Sequence, residues 1–540
     1  MLNQISGIAL AAGLFMASTG LVSAQAINSE QLSDPRVRQA IAYAIDMDTI
    51  VETLLESKAI AADSMLPNGP HKPEGLNAYS YDPEKARELL AAANWDSDRE
   101  LDMVYYYGDQ LTADLMAAIQ AYLADVGVKM TYRKLEGDVG AQLTTRPTDP
   151  VDGVSNIDWD LGYGAAAATA LQEYYNPYKT GGTSHTPGNA ELDKLIDAIN
   201  ATADPDEQRP AYFAIQEYWN TNLDALPLYY QQLFIYESDR LNRNGHGYGN
   251  EQYNYDWGIV DWTVEPDENG KQVMYTNTAP MQFFELPWAN LGIWMSSKVV
   301  FDKLLSADGS LAANGGQLAE SYTVGEDGMS VSFTLKDGLT WHDGSPLTVD
   351  DIEWSVKTAL RVPNVHAVVN NTFTSIVGGE DYREGKSDEV PGIVTNGNTI
   401  TFNMAKLDPN MLLTFTQFAP LPKALLDGTD PLQLQQSAFW QNPVGSGPFK
   451  IEEVQMNDFV RFVPFENYHG GVAKIDEIVA FPSGDGDGNL LKNAGAGKMD
   501  YGFTKNTADV AALEAMEFMR VIPADIPYTR MIWFNKFARQ

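Results

Sequence analysis

Three consecutive segments constrain the fold of this chain more than any others. LDMVYYY (101–107) reads as a strand, TADLMAAIQAYLADVG (112–127) as a helix with Gly127 at its end, and VKMTYRKL (128–135) as a second strand. A β-α-β unit of this kind places its strands in parallel and requires cover on both faces of the sheet, so the expected class is α/β. The rest of the first half agrees. AELDKLIDAINA (190–201) and DEQRPAYFAIQEYWNTNL (206–223) have helical spacing, and LPLYYQQLFIYES (226–238) reads as a buried strand. In SDPRVRQAIAYAIDMDTIV (33–51), Asp34 can cap a helix, Pro35 suits its first position, and Val37, Ala40, Ile41, Ala44 and Ile45 share one face. The second half is richer in strands: VMYTN, SVSFTLKDG, NTITFNM, GPFKIEEV, FVRFVPF and KIDEIVAF, broken by Gly, Asp and Asn turns. One helix is expected over TVDDIEWSVKTAL (348–360), with Thr348 and Asp351 forming a capping box in which Asp replaces Glu.

At 540 residues the chain is too long for one core, and two or three domains are expected. Acidic residues number 73 against 36 basic ones, a formal charge of −37, which disfavours nucleic acid and anionic membranes as partners. Residues 1–26 have an apolar core followed by Ala24-Gln25-Ala26, the small-residue pattern of a cleaved signal peptide, although no Lys or Arg precedes the core. With no cysteine there is no disulfide, no thiolate metal site and no acylated Cys. The expected location is the periplasm, without a lipid anchor.

Hydrolytic and metal chemistry find no motif. The histidines at 71, 185, 246, 342, 366 and 469 are scattered, with no HExxH pair. VGSGP (444–448) is not a nucleophile elbow. DGDGNLLKNAGA starts like a calcium loop at Asp485, Asp487 and Asn489, but Leu490 and Ala496 occupy the positions of its Gly and bidentate Glu. AGAGKM (494–499) lacks phosphate-loop spacing and puts Met499 where a hydroxyl is needed. Neither a catalytic set nor a cofactor is expected.

Several phrases resemble the family 5 extracellular solute-binding proteins, the peptide-type receptors of ABC importers. LAESYTVGEDGMSVSFTLKDGLTWHDGSPLTVDDIEWS (318–355), PVGSGPFKI (443–451), ENYHGG (466–471), KIDEIVAF and AGKMDYG (496–502) are similar to that family's early part. DPRVRQAIAYAIDMDTIV, NAELDKLIDAI, DPDEQRPAYFAIQEYW and LPLYYQQ are similar to its later part. The two blocks stand in reversed order: WFNKFARQ at the end would read directly into INSEQLSDPRVRQ near the start. The resemblance therefore implies a circularly permuted, two-lobed type II periplasmic binding protein-like fold, cluster C, with an extra inserted domain. The implied divisions are a signal peptide over 1–26, the family's C-terminal lobe over 27–230, and a return segment over 231–265. A linker follows at 266–271, then the start of the other lobe (272–317), an inserted α/β subdomain (318–440) and that lobe's completion (441–540). One covalent crossing between lobes, near 226–238, is expected to remain, and with it a loose hinge.

By the same resemblance, the ligand is held between the lobes and presented to membrane permease subunits by a monomer. Trp288 and Asn290 of LPWANLGIW (286–294), Gln417 and Phe418, and Gly445 and Ser446 match pocket segments. Tyr528 and Arg530 lie on PYTRMIW (527–533), where Arg530 could meet a ligand carboxylate. Peptide receptors of the family commonly carry an acid about nine residues after the Asp matched by Asp160; here Thr169 and a run of alanines stand, with Trp159 and Tyr163 as alternative lining. The loss of that charge partner opens an oligosaccharide or opine-like solute as an alternative to a peptide. A secreted hydrolase, or a sensor using the same fold without transport, are further alternatives.

Overall fold

The computed structural model describes residues 31–253, 258–278, 284–291, 295–309, 311–455, 457–483 and 488–539, with only the backbone described for 295–297. The expected signal peptide, part of LPWANLGIW (292–294) and part of the rejected calcium loop (484–487) lie outside these residues. Two compact units result. Unit 1 takes the described residues of Met1–Ile199, Arg209–Tyr230 and Pro527–Gln540; unit 2 takes Asn200–Gln208 and Gln231–Ile526.

Unit 1 is built on a sheet of strands β1 (Ala59–Ala61), β2 (Glu100–Tyr105), β3 (Lys129–Lys134), β4 (Leu161–Ala167), the first part of β5 (Ala225–Ser238) and the last part of a long C-terminal strand, Met519–Phe534. The order is β5, the C-terminal strand, β4, β2, β3, with β1 on β5. β2 and β3 are parallel in continuous register from Glu100–Lys129 to Tyr105–Lys134, as the β-α-β reading requires. Helices cover both faces. On one, α1 (Pro35–Ala44), α3 (Pro83–Ala92) and α4 (Gln110–Asp125) pack Val37, Ile41, Leu90, Leu115 and Ile119 against Leu101, Met103, Leu161 and Ile532. On the other, α5 (Ala190–Ile199) and α6 (Pro205–Asn222) bring Leu192, Ile196, Tyr212, Ile215 and Trp219 against Met531. A short α2 (Met47–Thr53) follows α1. The front cap is as read: the Asp34 carboxylate accepts from Arg36 N–H at 2.8 Å, with Pro35 opening the helix.

Unit 2 carries the second part of β5 beside β6 (Val273–Thr278) and four later strands: β11 (Phe449–Gln455), β12 (Phe459–Pro464), β13 (Glu477–Pro482) and β14 (Tyr501–Thr504). Their order is β11-β12-β13-β6-β14-β5. A separate antiparallel sheet orders β7 (Ala319–Val324), β8 (Ser330–Leu335), β10 (Thr399–Asn403) and β9 (Ile393–Asn396) as β7-β8-β10-β9. Helix α7 (Val349–Arg361) opens with the expected box, Thr348 N–H donating to the Asp351 carboxylate at 2.9 Å. Strands β7 and β9 escaped the sequence reading because their patterns are mostly exposed and offer little apolar alternation.

The chain end requires a correction. The C-terminal strand, β15 (Met519–Phe534), leaves unit 2 at Ile526, and residues 527–540 belong with the first unit rather than with 441–526. The cause is pairing: Tyr528 to Phe534 lie in unbroken antiparallel register against Ala167 to Leu161 of β4. Two strands, β5 and β15, therefore run between the units, not one. A buried ionic network holds this segment. Lys536 pairs with Asp224, Arg38 lies 4.0 Å from the same carboxylate, and the Arg38 guanidinium donates to the carbonyls of Leu32 and Asn222, each at 2.6 Å. Burial pushes the Asp224 carboxyl up, but Lys536 and Arg38 outweigh it and hold the carboxyl below its usual range.

One buried cation in unit 2 generates a pH prediction. Lys303 is 2 % exposed and its ammonium donates to the Phe301 carbonyl at 2.6 Å. Burial lowers its pKa to about 7 against the partial opposition of Asp302. The unfolded chain then binds more protons above neutrality, so stability rises as pH increases from about 7 toward the unfolded lysine value. Lys303 should contribute a gain of roughly 1–2 kcal/mol in urea unfolding between pH 7 and 9; Lys303→Met should remove that share and leave the rise due to Lys298, whose pKa burial also lowers to about 7.

Candidate functional site

β4 reads LGYGAAA, and its small residues serve two faces differently. On one face Trp533 lies across Gly162 and Gly164: a Cβ at Gly164 would fall 2.1 Å from Trp533 Cη2, and one at Gly162 would fall 3.0 Å from Cε3. On the other face Ala165 stands opposite Arg530 and Ala167 opposite Tyr528, leaving room for the two long side chains of β15. The alanine run is thus explained by what its neighbours require.

Arg530 is the centre of a cluster of phenols. Its guanidinium carbon lies 4.0 Å from the Tyr107 ring centroid, 5.1 Å from Tyr528 and 5.7 Å from Tyr163, within cation–π range of all three. Tyr107, just beyond β2, stacks on Tyr106 at 4.3 Å, and their hydroxyls are 2.8 Å apart. It also meets Tyr163 edge-on at 5.8 Å. Tyr163 Oη in turn lies 2.9 Å from Tyr229 Oη on β5. Burial raises the phenols of Tyr107, Tyr163 and Tyr229 above their ordinary value, so all stay neutral at physiological pH. The arrangement is one fixed positive charge in a rigid set of neutral hydroxyls and aromatic faces. Tyr163 is 1 % exposed and Tyr528 and Arg530 9 % each, whereas Tyr106 and Tyr107 are half-buried and form the accessible side. Such a set can take a carboxylate or a polar hydroxylated group, and nothing in it activates a nucleophile.

The expected site residues fall into distinct places. Tyr163, Tyr528 and Arg530 are brought together, joined by Tyr106, Tyr107 and Tyr229, which the sequence reading passed over as strand residues. The signal was available in the YYY run at 105–107. Thr169, also in unit 1, is not isolated from acid. Its N–H and Oγ1 donate to one oxygen of Glu173 at 2.7 and 2.8 Å, and Ala170 N–H adds a third bond at 3.0 Å. The acid near this position therefore comes from four residues further on. Trp159 is a core side chain, fully buried with Val104, Leu135 and Ile157, its indole N–H on the Gln142 carbonyl at 3.0 Å.

In unit 2, Trp288 and Phe418 stack at 5.0 Å and 23°, and Trp288 Nε1 donates to the Ala419 carbonyl at 2.6 Å. Phe418 meets Phe373 edge-on at 4.7 Å. Both are fully buried, so they wedge the core of unit 2. Gln417 is buried beside Thr416, its amide donating to Thr416 Oγ1 at 3.2 Å while its Oε1 has no partner among the described residues. Asn290 is exposed. Gly445 exists for close packing, since a Cβ there would meet the Val300 carbonyl at 2.0 Å. Ser446 is buried and accepts from Asp302 N–H at 3.3 Å.

The family model for bacterial extracellular solute-binding proteins, family 5, matches residues 13–184 and 315–537, well over half of the chain. The chain belongs to that family, and its α/β two-unit architecture fits the family's two-lobed fold. Among curated relatives, a putative ABC transporter peptide-binding protein of Brucella ovis is 25% identical over 237 residues, covering 44% of this chain and 42% of that protein. The dipeptide-binding protein of Escherichia coli is 26% identical over 179 residues, covering 30% and 31%. The matched region thus spans less than half the length of these relatives. Among solved structures, a lactococcal oligopeptide-binding protein in its closed, peptide-bound form is 23% identical, with a TM-score of 0.36 over 42% of this chain and 44% of that one. The Campylobacter jejuni protein NikZ, in complex with nickel and L-histidine, is 20% identical with a TM-score of 0.33, over 42% of each chain.

The fit of Trp533 makes Gly164→Ala a sharp probe. The added methyl has to displace the partly buried Trp533 indole from the sheet, and the expected loss is about 1–3 kcal/mol, the range for overpacking a core, read as a lower urea midpoint at unchanged slope.

Proposed function

We propose that this chain is the extracytoplasmic receptor of an ABC importer, capturing a short peptide or a similar small solute and delivering it to the membrane permease without altering it. The observation that carries the reading is the Arg530 cluster: a buried guanidinium with a rigid phenol surround and an accessible side at Tyr106 and Tyr107. Family membership and the names of the aligned relatives support the same class. In this reading Arg530 meets a ligand carboxylate, and Tyr107, Tyr163 and Tyr528 supply aromatic walls and hydroxyls. The protein acts as a periplasmic monomer, released by cleavage after Ala26 and without a lipid anchor, enzymatic activity or cofactor.

We also propose that the family's segments are circularly permuted. The reversed order of the matched phrases supports this, as does the contact between the start of the first block and the end of the last: Ser33 Oγ donates to the Lys536 carbonyl at 3.1 Å. A chain reopened within 266–271, with Gln540 joined to Ile27, should fold and bind as the present one does; failure to fold would overturn the permutation reading while leaving the binding reading intact.

Binding is tested by a thermal-shift screen of short peptides against oligosaccharides, followed by native mass spectrometry of the purified protein for a retained solute. A ligand at 100 times its Kd stabilises the folded state by about 2.7 kcal/mol. Peptides are expected to raise the melting temperature, and Arg530→Gln to weaken them at least tenfold, in line with the loss of a buried charge-assisted contact of ~1.5–3 kcal/mol. A shift with oligosaccharides alone would replace the peptide assignment by the sugar one. Turnover of either class would overturn the receptor reading.

A further inference from the structure

A concave site lies in unit 1, sharing no residue with the Arg530 cluster. A cavity of about 270 Å³ opens between the end of α1, the start of α2, β1 and the first residues of β5. This is below the ~300–1,000 Å³ of pockets for drug-sized molecules, so the occupant has only a few heavy atoms. Ile45, Leu223, Leu226 and Leu228 form an apolar lining and are themselves almost fully buried.

The polar lining is unevenly committed. Lys72 offers no spare donor: its ammonium pairs with Asp63 Oδ1 and also reaches Asn68 Oδ1 at 2.8 Å and the Tyr230 hydroxyl at 3.3 Å. The Tyr79 hydroxyl is spent on the Asn220 carbonyl at 2.6 Å, and burial pushes its pKa up to about 12, so it stays neutral. What remains is acceptor capacity. Asp63 Oδ2 and the carboxylate of Asp48 receive no hydrogen bond from any described residue, and both residues line the cavity. Lys72 shows what fits such a rim: it is an alkylammonium seated on Asp63, 5.2 Å from the Tyr230 ring centroid. The formal charge of −37 adds a field that concentrates small cations and repels anions.

We propose that this cavity is a binding site for a short aliphatic primary amine, its ammonium on the Asp63–Asp48 rim and its carbon chain on Ile45, Leu223 and Leu226. Two acids against one committed lysine leave the rim negative, and the apolar lining distinguishes an alkylamine from a hydrated inorganic cation.

The test is calorimetric titration of the full chain with 3-methylbutylamine, against 3-methylbutan-1-ol and 3-methylbutanoate as the neutral and anionic shapes. The amine should bind saturably and at least tenfold more tightly than the alcohol, and the carboxylate not at all. Ala78 lines the mouth and is exposed, so Ala78→Trp plugs the cavity from outside the core and should abolish amine binding while leaving any peptide-induced thermal shift unchanged. Asp48→Asn should weaken the amine about threefold, the order of one exposed charge pair. Equal affinity for all three probes, no saturation by the amine, or unchanged binding in a folded Ala78→Trp protein would each overturn the proposal. The three-probe series on the unaltered chain decides the matter if that variant does not fold.

Discussion

The pairing of β15 with β4, and the indole that seals it, is the constraint on which unit 1 rests. Trp533 can lie flat on the sheet only because Gly162 and Gly164 present no Cβ to it. Given that contact, alternation along the strand does the rest. Met531 and Trp533 face one core, while Ile532 and Phe534 face the other. Tyr528 and Arg530 then emerge beside Tyr163, where the sheet carries a charge instead of more core. The Arg530 cluster is thus a by-product of register: a slip by one residue would exchange the faces on which Arg530 and Trp533 stand.

A guanidinium at this position is costly to bury, and polarisable ring faces and hydroxyls of Tyr107, Tyr163 and Tyr528 help to meet that cost. Phenols suit the task. They solvate the cation without cancelling its charge, and burial keeps them neutral. The contrast with Arg243 in unit 2 is instructive. That guanidinium sits between Tyr248 and Trp262 but is also bound to Glu237 and Glu251, at 3.1 and 3.4 Å, and so is a structural tie.

Much of the architecture was legible in the sequence because the strongest signals are local. The β-α-β run, the Asp34–Pro35 helix start and the Thr348–Asp351 box need only neighbouring residues, and each is formed. What escaped depends on distant partners. Nothing in WFNKFARQ announces that Lys536 will meet Asp224, so the segment was assigned to the other half of the molecule. The candidate site was legible only in part for the same reason. Arg530, Tyr528 and Tyr163 stood out, but Tyr107 and Tyr229 become partners only after three separate strands converge. Glu173 was overlooked because its carboxylate turns back along the chain to Thr169. Trp288 and Phe418 have the composition of a binding wall and the surroundings of a core, a distinction that sequence does not carry.

The late position of residues 527–537 also governs when unit 1 can form. Its central strand and one arm of its ionic lock come from the far end of the chain, whereas α1 comes from near the front. Closing contacts across such a separation is slow, because the loop must be drawn together before any of them is rewarded. Until residues 527–537 arrive, β5 and β4 have no strand between them and Asp224 lacks its ammonium, so the helices of unit 1 can form locally well before the sheet they cover is closed.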